Sequence, residues 1–220
     1  MQPAGQMNRA PKPLTEQTLI GAVAEVCALD ADLDRVVAEF GTPPLWARPP
    51  GFPTLVHIIL EQQVSLASAR ATFARLRAAA EPLTPQTFLL LDDATLKTIG
   101  FSRQKTAYVR HLAAAISAGA FKLSALARMP DEAARAELLR LKGIGRWTAD
   151  VYLLMALRRP DVFPAGDLGL LVAAERVKRL AARPAPVELE QLSERWRPWR
   201  AVAARILWHY YLSTVAVRPT

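Results

Sequence analysis

The sequence predicts an all-α fold, and three observations support this prediction. Apolar residues recur at helical spacing through most of the chain, strand-like alternation is absent, and no Asn-Gly or Asp-Gly pair marks a β-hairpin. The connections between the periodic segments are short, which is typical of packed helical bundles. We therefore expect about ten to twelve helices joined by short loops.

The clearest helical periods are residues 15–29 (Leu19, Val23 and Val26 on one face), 52–63 (Leu55, Ile58, Ile59 and Gln62), 102–116 (Tyr108, Leu112 and Ile116) and 199–217 (Val202, Ile206 and Tyr210). Ser102 is expected to cap the third helix and Gly119 to end it. Residues 55–60 alone would also suit a buried strand, but the period of their neighbours favours a helix. Residues 42–53, rich in Pro and Trp, are the one long irregular connection, and residues 1–13 predict a flexible tail.

Composition limits the classes of protein that this chain can belong to. Of 220 residues, 51% are hydrophobic and 22% charged, which is a globular composition without a membrane-spanning run or a signal-peptide core. We therefore expect a cytoplasmic protein. Cys27 is the only cysteine, which excludes an intramolecular disulfide, a four-cysteine zinc site and a cysteine-held iron–sulfur cluster. The three histidines are too scattered to indicate a metal site.

The chain is basic, with 28 Lys and Arg against 20 Asp and Glu and a net charge of +8. A positive field attracts polyanions and speeds encounter with phosphate backbones. The same charge can also serve solubility alone, so charge by itself leaves nucleic-acid binding open.

Residues 138–155, LLRLKGIGRWTADVYLLM, predict two helices joined by a tight turn. Gly143 and Gly145 are expected to reverse the backbone with positive φ, and Ile144 between them to anchor the turn in the core. The N–H groups of the turn and of the next helix would then point outward together, which suits a phosphate oxygen. An ordinary helical corner is the alternative. A phosphate site of this kind positions DNA without reading its sequence.

Three stretches resemble the helix-hairpin-helix base-excision glycosylases, and specifically their alkylation-repair branch, the 3-methyladenine DNA glycosylase II type. They are FPTLVHIILEQQVSLASA (52–69), LKGIGRWTAD (141–150) and DVFPAGDLGL (161–170), the last followed by ERWRPWR (194–200). Their order and spacing match the family across roughly residues 20–212. The resemblance implies two helical subdomains flanking a DNA-facing cleft, and phosphate binding by the hairpin residues Gly143, Ile144, Gly145, Arg146 and Thr148.

The resemblance also implies that Asp167 is the catalytic carboxylate, because the family carries an aspartate about twenty residues after the hairpin. Asp167 follows Pro164-Ala165-Gly166 at the expected start of a helix, where backbone N–H groups favour a carboxylate. A purely structural cap is the alternative at this position. As a glycosidic bond breaks, the sugar develops positive charge, and a nearby anion stabilises it.

Such enzymes extrude the target nucleotide from the duplex, and the family position of the inserted wedge matches Gln63. Trp147 and Trp208 match aromatic residues of the base pocket, where stacking and cation–π attraction hold a cationic base. Val151 departs from the family, since well-known bacterial members carry a stacking tyrosine there, and we expect a wider pocket. Trp196 and Trp199 are interpreted as core residues.

Members of the superfamily that also cut the strand use a lysine at the position that Trp147 occupies here. Lys142 is close in sequence but precedes the turn, so the resemblance implies a monofunctional enzyme without Schiff-base chemistry. A second basic element, residues 101–105, is either a further contact to the DNA backbone or a solvated helix start.

The predicted organisation is a tail (1–13), a subdomain from residues 14–64 with 168–220, and a hairpin-containing bundle (65–167). The N-terminal β-rich domain of known bacterial members is expected to be absent. No cofactor or metal is expected, although a monovalent cation at the hairpin stays open. The expected partner is double-stranded DNA with alkylated bases, met by a monomer away from membranes.

Three alternatives remain at this point. A non-catalytic DNA-binding hairpin protein would explain the charge and the Gly143–Gly145 turn, but not Asp167 or the pocket tryptophans. A glycosylase for oxidised, deaminated or mismatched bases would keep the chemistry and change the lesion. A helical interaction module without a nucleic-acid partner is the third alternative, and a salt-sensitive gel shift would exclude it.

Overall fold

A computed structural model describes residues 10–214, which contain no strand and form twelve α-helices and two 3-10 helices (Leu123–Arg128 and Glu194–Trp196). The α-helices are α1 (Glu16–Leu29), α2 (Ala31–Phe40), α3 (Phe52–Glu61), α4 (Leu66–Ala79), α5 (Pro85–Leu89), α6 (Asp93–Ile99), α7 (Arg103–Ser117), α8 (Asp131–Leu139), α9 (Arg146–Met155), α10 (Leu168–Val177), α11 (Pro186–Ser193) and α12 (Arg200–Thr214). The all-α prediction is confirmed. No helix among these is long and apolar enough to cross a membrane.

Most helix starts are set by short polar side chains that accept a hydrogen bond from the first turn. Thr15 and Thr84 form capping boxes at α1 and α5, and Ser65 caps α4. The predicted cap at α7 is confirmed, because Ser102 Oγ accepts from Lys105 N at 3.2 Å. That helix ends just before Gly119, which has a φ of +70°.

The helical interpretation of residues 55–60 is confirmed, because they lie within α3. Gly51 and Pro53 mark its start, where a proline in the first turn removes only an N–H that the helix does not use. The preceding residues, 41–51, form the irregular connection that the sequence predicts.

Two compact units make up the chain, one formed mainly by Arg48–Tyr152 and the other by Pro11–Ala47 with the residues from Leu153 onward. The boundaries fall at 47/48 and 152/153, whereas the sequence-based division placed them at 64/65 and 167/168. The first difference arises because α3 packs on α4 and α7 of the first unit. The second observed boundary lies inside α9, whereas the predicted one coincides with the start of α10.

Of the predicted flexible tail, residues 1–9 lie outside the described part of the chain. From Pro11 onward the backbone is held by hydrogen bonds of the second unit. The carbonyl of Pro11 accepts from Arg159 Nη1 at 3.1 Å, and Leu14 N donates to Arg158 O at 2.8 Å. Residues 11–13 are therefore anchored where a flexible segment was predicted.

The core of the second unit is formed by α1, α2, α10 and α12 with Trp196 between them. Trp196 is completely buried, and its Nε1 donates to Asp30 Oδ2 at 2.8 Å. Trp199 packs against the same core and donates to Glu25 Oε2 at 2.6 Å. The interpretation of these two tryptophans as structural is confirmed.

Arg205 is a charged residue at the centre of that core, with 0% of its surface exposed. Its guanidinium donates to the backbone carbonyls of Leu45, Leu154 and Ala201 at 2.9–3.0 Å. Burial lowers the pKa of Arg205 to about 10. The side chain of Arg205 thus joins three segments that are distant in sequence, and its own buried N–H groups find hydrogen-bond acceptors.

The first unit has its own core, in which aromatic rings link α3, α5 and the start of α7. The ring of Phe88 lies 6.1 Å from that of Phe52 and 5.8 Å from that of Phe101, measured between centroids. Other completely buried residues of this core are Leu55, Ile58, Ile59 and Val109. This packing holds the end of α3 and the start of α7, which carry residues discussed below.

Candidate functional site

The turn between α8 and α9 contains a glycine that no other residue could replace without strain. Gly143 has a φ of +86°, in the left-handed region that glycine tolerates best. A Cβ built on it would lie 2.0 Å from Cγ of Tyr108, because the Tyr108 ring packs directly on the turn. The predicted need for glycine at this position is confirmed on both backbone and packing grounds.

Gly145 differs from this prediction. Its φ lies outside the left-handed region, and a Cβ there would meet no atom within 4 Å. The prediction of positive φ at both glycines was therefore wrong for Gly145, because the chain has already turned at Gly143 and enters α9 from Gly145. The fold of the described chain does not require a glycine here, and the residue leaves an open, exposed surface.

Ile144 is 4% exposed and anchors the turn as predicted. Ala149 N donates to Gly145 O at 3.0 Å at the start of α9, where the first-turn N–H groups of a helix point outward. Thr148 is only 1% exposed, and its Oγ1 accepts from Gln62 Nε2 at 2.8 Å. Of Thr148, the backbone rather than the side chain is thus the part suited to an external phosphate.

A buried ion pair joins the two helices of the hairpin, α8 and α9. Arg135 of α8 donates through Nε to Asp150 Oδ1 of α9 at 2.5 Å, and Asp150 is 1% exposed. Although burial acts against it, the neighbouring carboxylates of Glu132 and Asp150 raise the pKa of Arg135. Arg146, whose side chain is more than half exposed, brings its Nε to 3.6 Å from Asp150 Oδ2. The exposed cation at the start of α9 therefore lies over a buried carboxylate.

Asp167 lies at the start of α10, in the second unit, as the N-cap residue that the sequence predicts. Its Oδ1 accepts from Leu170 N at 3.0 Å and from Trp208 Nε1 at 2.8 Å. Trp208 comes from α12 and is 8% exposed. The structure thus brings together two of the predicted site residues, a carboxylate and an indole, by a direct hydrogen bond.

Gly169 completes this arrangement, and sequence reasoning missed it. A Cβ on Gly169 would lie 3.1 Å from Asp167 Oδ1, 3.3 Å from Tyr211 Cδ1 and 3.5 Å from Trp208 Cδ1. Glycine is unfavourable inside a helix, so its presence in the first turn of α10 is a signal that could have indicated close packing. The missing side chain leaves room for the Asp167–Trp208 pair.

Gln63, the predicted wedge, lies in the first unit just beyond the end of α3. It is exposed and has a φ of +57°, which is uncommon for a residue other than glycine. Ser65 caps α4 two residues later, and the role of Gln63 as a wedge stays a prediction.

Lys105, in the second basic element, is turned toward the protein. Its Nζ donates to Leu60 O at 2.7 Å and to Gln62 O at 2.9 Å, and burial lowers its pKa. The Lys105 side chain is therefore hydrogen-bonded to the end of α3 and to the α3–α4 loop. Arg103 of the same element is exposed.

The remaining predicted pocket residues, Trp147 and Val151, lie one helical turn apart on α9 in the first unit. Trp147 is partly buried and Val151 is 2% exposed. Their role at a base stays a prediction. Among residues 10–214, no group of three or more His, Cys, Asp or Glu side chains is placed to hold a metal ion.

Two helices joined by a tight glycine turn, as in α8 and α9, place this chain in the class of helix-hairpin-helix proteins. The chain belongs to the HhH-GPD superfamily of base excision DNA repair proteins, whose family model matches residues 56–198.

Named relatives agree with this membership. The chain is 35% identical over 124 residues to the putative DNA-3-methyladenine glycosylase YfjP of Bacillus subtilis, a match of 56% of this chain and 43% of that protein. It is 30% identical over 158 residues to DNA-3-methyladenine glycosylase 1 of Schizosaccharomyces pombe, covering 70% of this chain and 69% of that protein. The match therefore spans less than half the length of the first relative and over two thirds of the second.

A solved structure has the same fold. The 3-methyladenine DNA glycosylase Mag1 of Schizosaccharomyces pombe, in complex with abasic DNA, superposes with a TM-score of 0.73 at 28% identity. The superposition covers 86% of this chain and 95% of that one. The helix-hairpin-helix interpretation of the sequence is therefore confirmed in fold and family.

Proposed function

We propose that this protein is a monofunctional DNA glycosylase that excises alkylated bases such as 3-methyladenine and leaves an abasic site. The observation that carries this proposal is Asp167, held by Trp208 at the N-terminus of α10 in a chain of the base-excision family. The names of the relatives favour alkylated bases as the substrate, since both are called 3-methyladenine glycosylases.

The reaction breaks the bond between C1′ of the deoxyribose and a ring nitrogen of the base, and the bonding electron pair leaves with the base. An N3-alkylated adenine already carries positive charge, so it leaves as a neutral base without strong acid assistance. The sugar becomes an oxocarbenium ion, which the negative charge of Asp167 stabilises. Water then adds its oxygen to C1′ and loses a proton, which gives the abasic site.

In this proposal the hairpin binds the DNA backbone. Gly145 exposes bare backbone at the start of α9, where helix N–H groups and the Arg146 cation suit a phosphate. Gln63 takes the place of the extruded nucleotide. Trp208, Trp147 and Val151 are the residues proposed to contact the base. Binding through phosphate contacts makes recognition of undamaged duplex independent of sequence.

The chain lacks the nucleophilic lysine for strand cleavage, since position 147 is tryptophan and Lys142 is an exposed residue before the turn. Hydrolysis of this kind needs no cofactor. We propose that the protein acts as a monomer on chromosomal double-stranded DNA in the cytoplasm.

The deciding experiment is incubation of the purified protein, and of Asp167→Asn, with methylated duplex DNA, followed by chromatography of the released bases. Release by the wild type and loss of at least about a hundredfold in the variant would support the proposal. If both bind DNA but neither releases a base, a non-catalytic hairpin protein or another lesion class is the better account. If both are equally active, the enzyme is correct and the catalytic assignment is wrong.

A further inference from the structure

The loop that carries Gln63 is hydrogen-bonded directly to the hairpin. The side chain of the preceding residue, Gln62, donates from Nε2 to Gly143 O at 3.0 Å and to Thr148 Oγ1 at 2.8 Å. These partners lie more than eighty residues further along the chain, within the same unit. Both hydrogens of one amide are thus used to join the α3–α4 loop to the turn and to the first turn of α9.

A second side chain holds the same loop from another direction. The Lys105 ammonium donates to the carbonyls of Leu60 and Gln62, which lie at the C-terminal end of α3. Carbonyls at a helix end have no intrahelical donor, and a cation there is favoured by the helix dipole. Lys105 therefore fixes the backbone on the N-terminal side of Gln63.

The helix that carries Lys105 also supports the hairpin itself. Tyr108, one turn further along α7, packs its ring on Gly143 so closely that a methyl group there would overlap it. Gln104 Nε2 donates to the Tyr108 hydroxyl at 2.6 Å. One face of α7 therefore contacts both the glycine turn and the Gln63 loop.

Gln63 has the left-handed backbone that a surrounding structure must impose on a residue with a side chain. Its neighbour Gln62 is partly buried while Gln63 is exposed, so the two adjacent glutamines have opposite environments. The Gln62 side chain forms hydrogen bonds within the protein, whereas Gln63 faces solvent. The contacts of Gln62 and Lys105 account for why the exposed one is held in this conformation.

We propose that Gln62 and Lys105 are positioning residues that transmit phosphate binding at the hairpin to the wedge at Gln63. This inference rests on the proposed function and adds to it a coupling between the phosphate-binding hairpin and the wedge at Gln63. When a phosphate orders the turn at Gly143 and Gly145, the Gln62 amide holds the α3–α4 loop in register with it. Gln63 is thereby aimed into the duplex at the nucleotide next to the bound phosphate.

The first test compares Gln62→Ala with the wild type in two assays on the full-length protein. Base extrusion is followed by the fluorescence of 2-aminopurine beside the lesion, and excision by single-turnover release from methylated duplex. We expect extrusion and excision to fall about tenfold, because a small misplacement can be costly even when the mutated residue lies far from the reacting atoms. Affinity for undamaged duplex should stay within about twofold, since the backbone contacts remain.

A double-mutant cycle separates positioning from general structural support. If Gln62 acts through the wedge, Gln62→Ala has no further effect on extrusion once Gln63 is alanine. An equal loss in both backgrounds would overturn the proposal, as would a Gln62→Ala protein that extrudes and excises like the wild type.

Lys105 provides a second variant in case Gln62→Ala does not fold, which thermal unfolding by circular dichroism would show. Lys105→Met should reproduce the extrusion defect, and Lys105→Arg should restore part of it, because a guanidinium can still donate to both carbonyls. Lys97→Met is the matched control, since it removes the same charge from an exposed lysine on α6. Equal extrusion by the Lys105 and Lys97 variants would overturn the proposal.

The outcomes also separate this inference from the proposed function. A wild type that neither extrudes nor releases a base overturns both together. A wild type that is active, with Gln62→Ala and Lys105→Met equally active, overturns the inference alone.

Discussion

Trp208 Nε1 donates a hydrogen bond to Asp167 Oδ1 at 2.8 Å, across 41 positions of sequence. Leu170 N donates to the same oxygen at 3.0 Å. Two N–H groups therefore help to orient the carboxylate, one from the indole on α12 and one from the first turn of α10. Catalysis by charge stabilisation depends on such pre-oriented groups, because they need no rearrangement as the charge develops.

Trp208→Phe should reveal the contribution of this hydrogen bond. The substitution keeps an aromatic ring and removes the N–H donor, and hydrogen bonds to charged groups contribute roughly 1.5–3 kcal/mol. We expect the single-turnover excision rate to fall about tenfold or more with little change in affinity for lesion-containing duplex. Trp208→Ala removes the ring as well, so lesion affinity should also fall. Excision by Trp208→Phe at the wild-type rate would show that the indole does not orient Asp167.

Gly169→Ala should separate activity from stability. Alanine is favoured over glycine in a helix by roughly 0.5–1 kcal/mol, but here its Cβ would press on Asp167 Oδ1 and on the ring of Tyr211. We expect lower excision without the gain in stability that helix propensity predicts. Gly21→Ala is the matched control, because Gly21 lies in α1 with nothing within 4 Å of its Cβ. That variant should be more stable and equally active, as judged by thermal unfolding and base release.

Local patterns in the sequence were sufficient to predict much of the fold. Helical periodicity identified α3 and α7, Ser102 was identified as a cap, and Ile144 was identified as the buried anchor of a tight glycine turn. Each of these features depends on residues within a few positions of one another. Asp167 as an N-cap belongs to the same group, since its acceptor role involves Leu170 three residues away.

Long-range contacts explain what the sequence could not predict. The sequence did not predict that the Lys105 ammonium binds carbonyls at the end of α3, because the two segments are more than forty residues apart. The same applies to Gln62 and its partners in the hairpin. Gly145 was misjudged because composition shows that glycine is present but not which backbone conformation each glycine adopts.

Gly143→Ala should lower the stability of the fold, whereas Gly145→Ala should lower only the affinity for DNA. At Gly143, positive φ and overlap with the Tyr108 ring together should destabilise the protein by roughly 2–4 kcal/mol. At Gly145 the folded chain has room for a methyl group, so stability should change by less than about 0.5 kcal/mol. Affinity for all duplex DNA should nevertheless fall about tenfold, because close approach of a phosphate needs bare backbone.

Fluorescence anisotropy at several salt concentrations, together with urea unfolding, measures both effects of these glycine variants. Unchanged DNA affinity of Gly145→Ala would argue against a phosphate at this turn. A loss confined to damaged DNA would place Gly145 at the base rather than at the backbone.

Asp30→Asn should remove a pH-dependent part of the stability of the second unit. Asp30 is 4% exposed and binds Lys178 Nζ through both carboxylate oxygens, as well as Trp196. Burial alone would raise its pKa, but the hydrogen bonds from Lys178 and Trp196 hold the pKa of Asp30 below its usual value of 3.8. Folding therefore favours the ionised form, which stabilises the protein above about pH 4 and ceases to do so as the pH falls through the folded pKa.

Asparagine caps a helix as well as aspartate does, so Asp30→Asn removes the charge while keeping an N-cap at α2. We expect a loss of roughly 1–3 kcal/mol at pH 7, because Lys178 loses its buried partner and keeps only the partly exposed carboxylate of Asp32, 2.8 Å away. The difference from the wild type should narrow below pH 4, measured as urea midpoints at pH 7, 5 and 3. Asp92→Asn is the control, since Asp92 caps α6 at an exposed position without a buried lysine. If the two variants lose the same stability at pH 7, the Asp30–Lys178 pair does not stabilise the core of the second unit.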